Sequence, residues 1–199
     1  MKEIEYFYAA HSAFAYLGSK KFMAIAETAG RRIAHKPIDL DRCVVAGGAP
    51  GFNDRSQAHY DYYFGREIDR WSEFREAPVL GRIPTYHAND PSLANGMLIA
   101  GLHQAQNIDA LAHGFLEAHW RDDANLADPD TLARVAMQCG YDAEALMADA
   151  TGDAVLTTYE ENTKEAIARS VFGSPTYFLD GDMFYGQDRL EFIERALAK

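Results

Sequence analysis

Ser12, in the stretch HSAFAYLG (His11–Gly18), is the first residue whose type and setting suit chemistry. It follows the short apolar run IEYFY and stands where a helix would begin, the position that serine favours as an N-cap. A hydroxyl there can donate to an anion, and a helix N-terminus itself favours negative charge. A strand that turns into a helix in this way is a good place to work on a thiol, yet this turn holds no cysteine. Cys43 and Cys139 lie far from it and far from each other, and read as bystanders. His11 beside Ser12 raises a serine hydrolase as another reading. Against it, neighbours along a strand point to opposite faces, and no G-x-S-x-G elbow surrounds Ser12. His11 is therefore expected only at the mouth of the site. The other histidines, His113 and His119 among them, show no metal-ligand spacing, so no metal is expected.

The elements that must position Ser12 follow from the apolar pattern. Ile4–Tyr8 predicts a short strand, with Met1 close to its start. Phe14, Tyr16, Leu17, Met23 and Ile25 predict one face of a helix that Gly30 stops. RRIAHKPIDL then predicts a second strand, bounded by an AGGAPG loop at Ala46–Gly51. This β-α-β opening is a parallel unit whose ligand end lies at the carboxyl edge of its strands. Ser56–Phe74 predicts a long amphipathic helix with Arg66, Glu67, Asp69 and Arg70 on its wetter side, and Pro78, Pro84 and Pro91 punctuate an irregular stretch.

Further helices are predicted at about Leu93–Gln106, Ile108–Arg121, Asp130–Cys139, Asp142–Ala148 and Gly152–Ser170. In the last of these, Glu160/Lys164 and Glu165/Arg169 stand at supportive i,i+4 spacing. The tail predicts an apolar strand, an Asp180-Gly181 hairpin turn, a second strand and a helix from near Gln187. The order β-α-β, helical block, β-β-α is an α/β, thioredoxin-like arrangement. One domain over 1–199 is expected, with a helical insertion at about 55–150.

Composition narrows the function classes. The chain has 199 residues, 48% hydrophobic and 25% charged, ordinary for a globular protein with a proper core. A formal net charge of −11 opposes binding to nucleic acid or to an anionic membrane surface, both of which want clustered Lys and Arg. No stretch approaches the ~18 apolar residues that a membrane helix needs. The first residues carry acidic side chains where a signal peptide would be basic, and two cysteines make no disulfide framework. A reducing compartment, the cytosol, is expected.

Three segments carry a resemblance: SxxxYLG at Ser12–Gly18, FGSPT at Phe172–Thr176, and FYGQDRL at Phe184–Leu190. Together they resemble the 2-hydroxychromene-2-carboxylate isomerases, relatives of the kappa-class glutathione transferases in the DsbA-like branch of the thioredoxin fold. The likeness covers essentially the whole chain. It implies that Ser12-Ala13-Phe14-Ala15 fills the place of Cys-x-x-Cys, which rules out dithiol exchange at this turn. It implies further that the thiol arrives as glutathione.

The magnitudes are compatible with that role. A free thiol has a pKa near 8.5, and lowering it by roughly two units takes about 2.7 kcal/mol of preference for the anion. A hydroxyl bond to a charged acceptor contributes roughly 1.5–3 kcal/mol, and a helix N-terminus about 0.3–1, up to ~2 when partly buried. Ser12 at a helix start offers both. A plain helix cap is the competing reading of this serine.

The resemblance also implies a cis Ser174-Pro175 bond facing the turn, where a peptide such as glutathione pairs with the backbone. A trans proline that merely ends the preceding helix is the alternative. Gln187 and Asp188 are implied to bind the γ-glutamyl end, with Asp188 pairing its ammonium group. A carboxylate in a first helical turn is favoured without any ligand, and Arg189 reads as a surface residue.

Two departures from the family stand out. Ala13-Phe14 follows the serine where Pro-Tyr is usual, which alters the substrate pocket. The kappa-class asparagine has only Asn53 as its nearest candidate. His11, Phe14 and Tyr86 are expected at the substrate pocket, with Tyr62, Tyr63 and Phe64 as further candidates, or as core packing. Trp71 and Trp120 read as packing residues.

The implied reaction is glutathione-dependent cis–trans isomerisation of an aromatic-derived unsaturated keto acid, by thiolate addition, bond rotation and thiolate loss. A kappa-like transferase that conjugates electrophiles is the alternative enzyme. A non-catalytic DsbA-like peptide-binding module is the alternative outside enzymes. A small aromatic-derived substrate and a homodimer complete what the resemblance implies.

Overall fold

The computed structural model describes residues 2–199, so Met1 lies outside it. Four strands make one sheet in the order β2-β1-β3-β4. β1 (Glu3–Tyr8) pairs in parallel with β2 (Arg32–Pro37) and antiparallel with β3 (Thr176–Leu179), which pairs antiparallel with β4 (Asp182–Tyr185). Parallel neighbours need a crossover, and α1 (Ala13–Thr28) supplies it. The β3–β4 turn is made by Asp180 (φ 50°) and Gly181 (φ 92°), the paired positive φ values for which Asp-Gly is chosen. This is the thioredoxin-like β-α-β and β-β-α scaffold that the sequence pattern predicts.

Alternation along β1 divides the interior. Ile4, Tyr6 and Tyr8 face the main core, where the Tyr6 ring stacks on Tyr8 at 4.1 Å and on Tyr177 at 5.3 Å. Phe7 faces the other way, onto Ile38, Cys43 and Phe178. Between β2 and β3 lie α2 (Leu40–Ala46), a 3₁₀ turn at Phe52–Asp54, α3 (Gln57–His59), a π-helical segment at Tyr60–Arg66 and α4 (Glu67–Arg75). Then follow α5 (Ser92–His103), α6 (Asp109–Asp122), α7 (Pro129–Gln138), α8 (Ala143–Asp149) and α9 (Asp153–Ala168). A 3₁₀ turn at Gln187–Arg189 leads into α10 (Leu190–Leu197).

Two expectations need correction. The second strand ends at Pro37, and the residues read as its end begin α2 instead. Asp39 caps that helix by accepting the Arg42 N–H at 3.1 Å, a local signal outweighed by the apolar run before it. The helix expected at Ser56–Phe74 has the right extent, but its middle is π-helical. Such segments are frequent at functional sites.

Gly18 shows why the SxxxYLG segment ends as it does. A Cβ there would lie 2.6 Å from Cβ of Gln187 and 3.3 Å from the Tyr177 hydroxyl oxygen. Only glycine lets α1 approach the Gln187 turn this closely. Tyr16, in the same segment, donates its hydroxyl to the Pro78 carbonyl at 2.8 Å and ties α1 to the irregular stretch after α4.

Candidate functional site

Ser12 sits between β1 and α1 with extended φ/ψ of −73° and 123°, and its Oγ accepts the Ala15 N–H at 3.3 Å. The same hydroxyl donates to the Ser174 carbonyl at 3.2 Å. Ser174 Oγ in turn accepts the Ala9 N–H at 3.3 Å, and the Ser174–Pro175 bond is cis. Two segments far apart in sequence are thus bonded face to face at the carboxyl end of β1. The helical block holds the turn from the other side. Asn95 Oδ1 accepts the Ala10 N–H at 3.0 Å, and Trp120 Nε1 donates to the His11 carbonyl at 2.8 Å. Trp120 is therefore a strut for the active turn as well as a packing residue.

A cleft with about 580 Å³ of empty volume, open solvent included, lies over this junction. Ser12, His11, Phe14 and Ser174 line it together, with Tyr63 and Phe64 from the π-helical segment. Its walls are mainly aromatic and aliphatic, the character of a small-molecule site. Tyr62, one position earlier in the helix, is exposed and outside it.

A second groove shares Phe14, Tyr63, Ser174 and Tyr185 with the first and continues to Gln187 and Asp188. Gln187 is buried and already held: Arg75 donates from Nε to its side-chain oxygen and from a terminal nitrogen to its carbonyl, both at 3.0 Å. The same guanidinium reaches Glu191 at 2.7 Å. Asp188 pairs with Arg189. Glu67 and Trp71 also line this groove, so two carboxylates, Glu67 and Asp188, stand on its wall.

Asn53, expected to bind the cofactor, and Tyr86, expected at the substrate pocket, are placed elsewhere. Asn53 lines a neighbouring depression that meets the cleft at His11, Leu40, Phe52, Phe64 and His87, and it is not part of the cleft wall. Tyr86 needs a plainer correction. It is exposed and lines a separate depression with Asp122, Asp123 and Arg134, because the turn through Pro84–His87 directs it away while its neighbour His87 lines the cleft.

Sequence reasoning missed His87, Arg55 and Arg75. Arg55 is the sole Lys or Arg on the cleft wall among the described residues. Its guanidinium carbon lies 4.3 Å from the Phe52 ring centroid and 5.5 Å from that of Phe64, and its Nε is buried with no hydrogen-bond partner. An aromatic two or three residues from a loop arginine was the available signal, and it is weak.

Three titratable groups of the cleft, His11, Tyr63 and His87, are strongly displaced. Burial and the neighbouring His119 push His11 down to about 4. Burial, with His11 and His119 beside it, pushes His87 down to about 3. Burial raises Tyr63 well above its usual range, helped by Tyr185 alongside. Both histidines are therefore neutral near pH 7, which leaves Arg55 as the cleft's fixed charge. Cys43 lies in the second core and burial pushes its thiol up to about 12, while burial raises Cys139 as well. Neither is a ready thiolate. Among the described residues no cluster of His, Cys, Asp or Glu could hold a metal ion, and no helix is long and apolar enough to cross a membrane.

Comparisons with known proteins agree with this fold. The family profile described as DSBA-like thioredoxin domain matches residues 3–198. The chain is 31% identical over 195 residues to 2-hydroxychromene-2-carboxylate isomerase of Pseudomonas sp. (strain C18), covering 98% of this chain and 89% of that protein. It is 28% identical over 196 residues to the protein of that name from Sphingobium xenophagum, covering 98% of each. A solved structure of 2-hydroxychromene-2-carboxylate isomerase superposes with a TM-score of 0.83 at 27% identity, covering 98% of this chain and 94% of the other. A cytosolic disulfide reductase, DsbM of Pseudomonas aeruginosa solved with GSH, shares the fold with a TM-score of 0.69 at 16% identity, covering 99% of this chain and 100% of that one.

Proposed function

Because the chain belongs to the DSBA-like thioredoxin domain family and, within it, to the 2-hydroxychromene-2-carboxylate isomerases, we propose that it is a glutathione-dependent isomerase of an aromatic-derived, unsaturated keto acid. One observation carries the reading. The Ser12 hydroxyl stands at the start of α1, against the Ser174 carbonyl, on the wall of an aromatic cleft.

The residues present fit glutathione. Ser12 offers a hydroxyl donor and the N-terminal end of a sixteen-residue helix to a thiolate. The groove that Ser174 lines is also lined by Glu67 and Asp188, whose carboxylates suit an ammonium group. Arg75 holds Gln187 by two hydrogen bonds, which makes Gln187 a preorganised part of that groove. When bound, glutathione supplies a thiolate that adds reversibly to the conjugated double bond and so frees it to rotate.

The chain's own residues do the rest. Ser12 turns its proton from the Ser174 carbonyl toward the anion and holds it in the ionised form. Phe14, Tyr63 and Phe64 bury the aromatic part of the substrate and exclude water. Arg55, whose guanidinium is the cationic group on the cleft wall, receives the substrate carboxylate. The absence of any thiol in the turn leaves the bound tripeptide as the nucleophile.

The test is turnover of 2-hydroxychromene-2-carboxylate with and without glutathione, followed by a count of free thiol. Conversion that needs glutathione and leaves its concentration unchanged supports the isomerase. Stoichiometric loss of thiol would make the protein a transferase instead. No conversion under either condition would sink the reading.

A further inference from the structure

His87 takes no part in the motifs above, yet its ring lines the Ser12 cleft. Its Nδ1 lies 2.9 Å from Nε2 of His119, and Nδ1 of His119 lies 2.9 Å from the Ala124 carbonyl oxygen. A carbonyl can only accept, so His119 carries its proton on Nδ1. Burial lowers the pKa of His119, so its ring is neutral near pH 7 and its Nε2 is a lone pair. The proton between the two rings must then sit on Nδ1 of His87. His87 is neutral too, so its Nε2 is left as a second lone pair, and among the described residues that atom has no hydrogen-bond partner.

The ring has little freedom to turn. It stacks on His119 with centroids 5.2 Å apart and meets Trp120 edge-on at 5.2 Å. Beside it, 5.3 Å away, lies the His11 ring, whose Nδ1 is buried without a partner. Nδ1 of His11 is closed off by burial, so the unsatisfied ring atom left to this wall of the cleft is Nε2 of His87.

A fixed lone pair on a neutral ring is selective. It accepts a hydrogen bond from a hydroxyl and repels a carboxylate. Arg55, on the same cleft wall, has the opposite preference. A 2-hydroxy-2-carboxylate, as the relatives' substrate name describes, carries both groups on one carbon, so these two residues together would fix which way round it lies.

We propose that Nε2 of His87 accepts a hydrogen bond from the substrate hydroxyl, and that His119 is the positioning residue that sets its tautomer. The inference rests on the proposed function only in taking an aromatic acid as the occupant of the Ser12 cleft. His87 is a specificity-determining residue, and no proton transfer to it is required.

The test compares mandelate with phenylacetate, two inert aromatic acids that differ by one hydroxyl, by calorimetry in the presence of glutathione. The intact protein should prefer one mandelate enantiomer by about 2- to 13-fold, the range that one net hydrogen bond gives. His87→Phe should abolish the preference for mandelate over phenylacetate. His119→Phe should weaken the preference, and His119→Gln, which can accept from Nδ1 of His87 and donate to Ala124, should restore it. A preference that survives His87→Phe overturns the proposal.

Long-range proton–nitrogen spectra of the imidazoles test it without a variant. A proton on Nε2 of His87 overturns it. Thiolate absorbance of bound glutathione separates the two claims. If that signal persists while the hydroxyl preference is missing, His87 alone is wrong. If neither acid binds and no thiolate forms, the site reading falls with it.

Discussion

Ser12→Ala separates a helix cap from a thiol-activating residue, because the proposed function gives both tasks to one hydroxyl. The cap is the bond from the Ala15 N–H at 3.3 Å, and the second bond runs to the Ser174 carbonyl at 3.2 Å. Ser12 is 6% exposed, so water does not readily replace the lost oxygen. Removing an N-cap serine costs about 0.5–2 kcal/mol, and for a chain of this size each kcal/mol lowers Tm by roughly 2–4 °C. The thiol effect has a separate size. A hydroxyl bond to an anion is worth about 1.5–3 kcal/mol, so losing it should raise the pKa of bound glutathione by about 1–2 units. The rise should stop short of the free value, because the N-terminus of α1 still contributes about 0.3–1 kcal/mol. Thermal unfolding reads the first effect and ultraviolet difference absorbance of the thiolate, titrated with pH, reads the second. A fall in Tm with no change in thiolate pKa would reduce Ser12 to a cap and refute the reasoning.

Arg55→Gln should raise KM for a carboxylate substrate by about 10- to 100-fold, the value of a hydrogen bond to a charged group, with kcat little changed. Steady-state kinetics checks it, and an unchanged KM would remove Arg55 from substrate binding. Stability should fall with acidification between pH 6.5 and 4. His11 and His87 have folded values of about 4 and about 3 against 6.5 when unfolded, so below 6.5 the unfolded chain binds protons that the folded chain refuses. Each histidine should cost at most about 2 kcal/mol from pH 6.5 to 5, and denaturant titrations of His87→Phe should show a shallower decline. Gly18→Ala should destabilise by about 1–3 kcal/mol, because its Cβ would meet Gln187 Cβ at 2.6 Å. An unaltered denaturant midpoint would show that α1 shifts freely.

What was legible in the sequence is what local pattern encodes. Ile4–Tyr8, the Asp180-Gly181 turn and the capped start of α1 depend on neighbours a few residues away, and each was readable. The two C-terminal segments were placed at the site by resemblance alone; in the structure FGSPT and GQDRL flank the hairpin that pairs with β1. The residues that escaped have partners distant in sequence. Arg75 reads as a basic residue closing a helix, yet it reaches Gln187 and Glu191 in the last turn of the fold. His87 lies in a proline-punctuated stretch with no periodicity, and its proton is assigned by a carbonyl at Ala124. Tyr86 attracted attention by its type, but a turn sends consecutive side chains to different sides, and type alone does not say which side. The π-helical segment was hidden because its composition still reads as an ordinary amphipathic helix.

The bond between Ser12 and Ser174 spans 162 residues, and β1 meets β3 across a gap of similar length. Closing so long a loop carries an entropy cost that grows as the logarithm of its length, and nothing local repays it beforehand. During synthesis, at about 5–20 residues per second, the helices from α5 to α9 can form on short-range contacts while β1 waits with one edge unpaired. The cleft therefore does not exist in any nascent chain that has not yet exposed Thr176–Leu179. Until then the Tyr- and Phe-rich edge of β1 is a template for pairing with another chain. Chains stalled before β3 should collect in insoluble material rather than retain partial activity, and a chaperone that shields β1 should raise the yield of active protein more than one that acts on the helices.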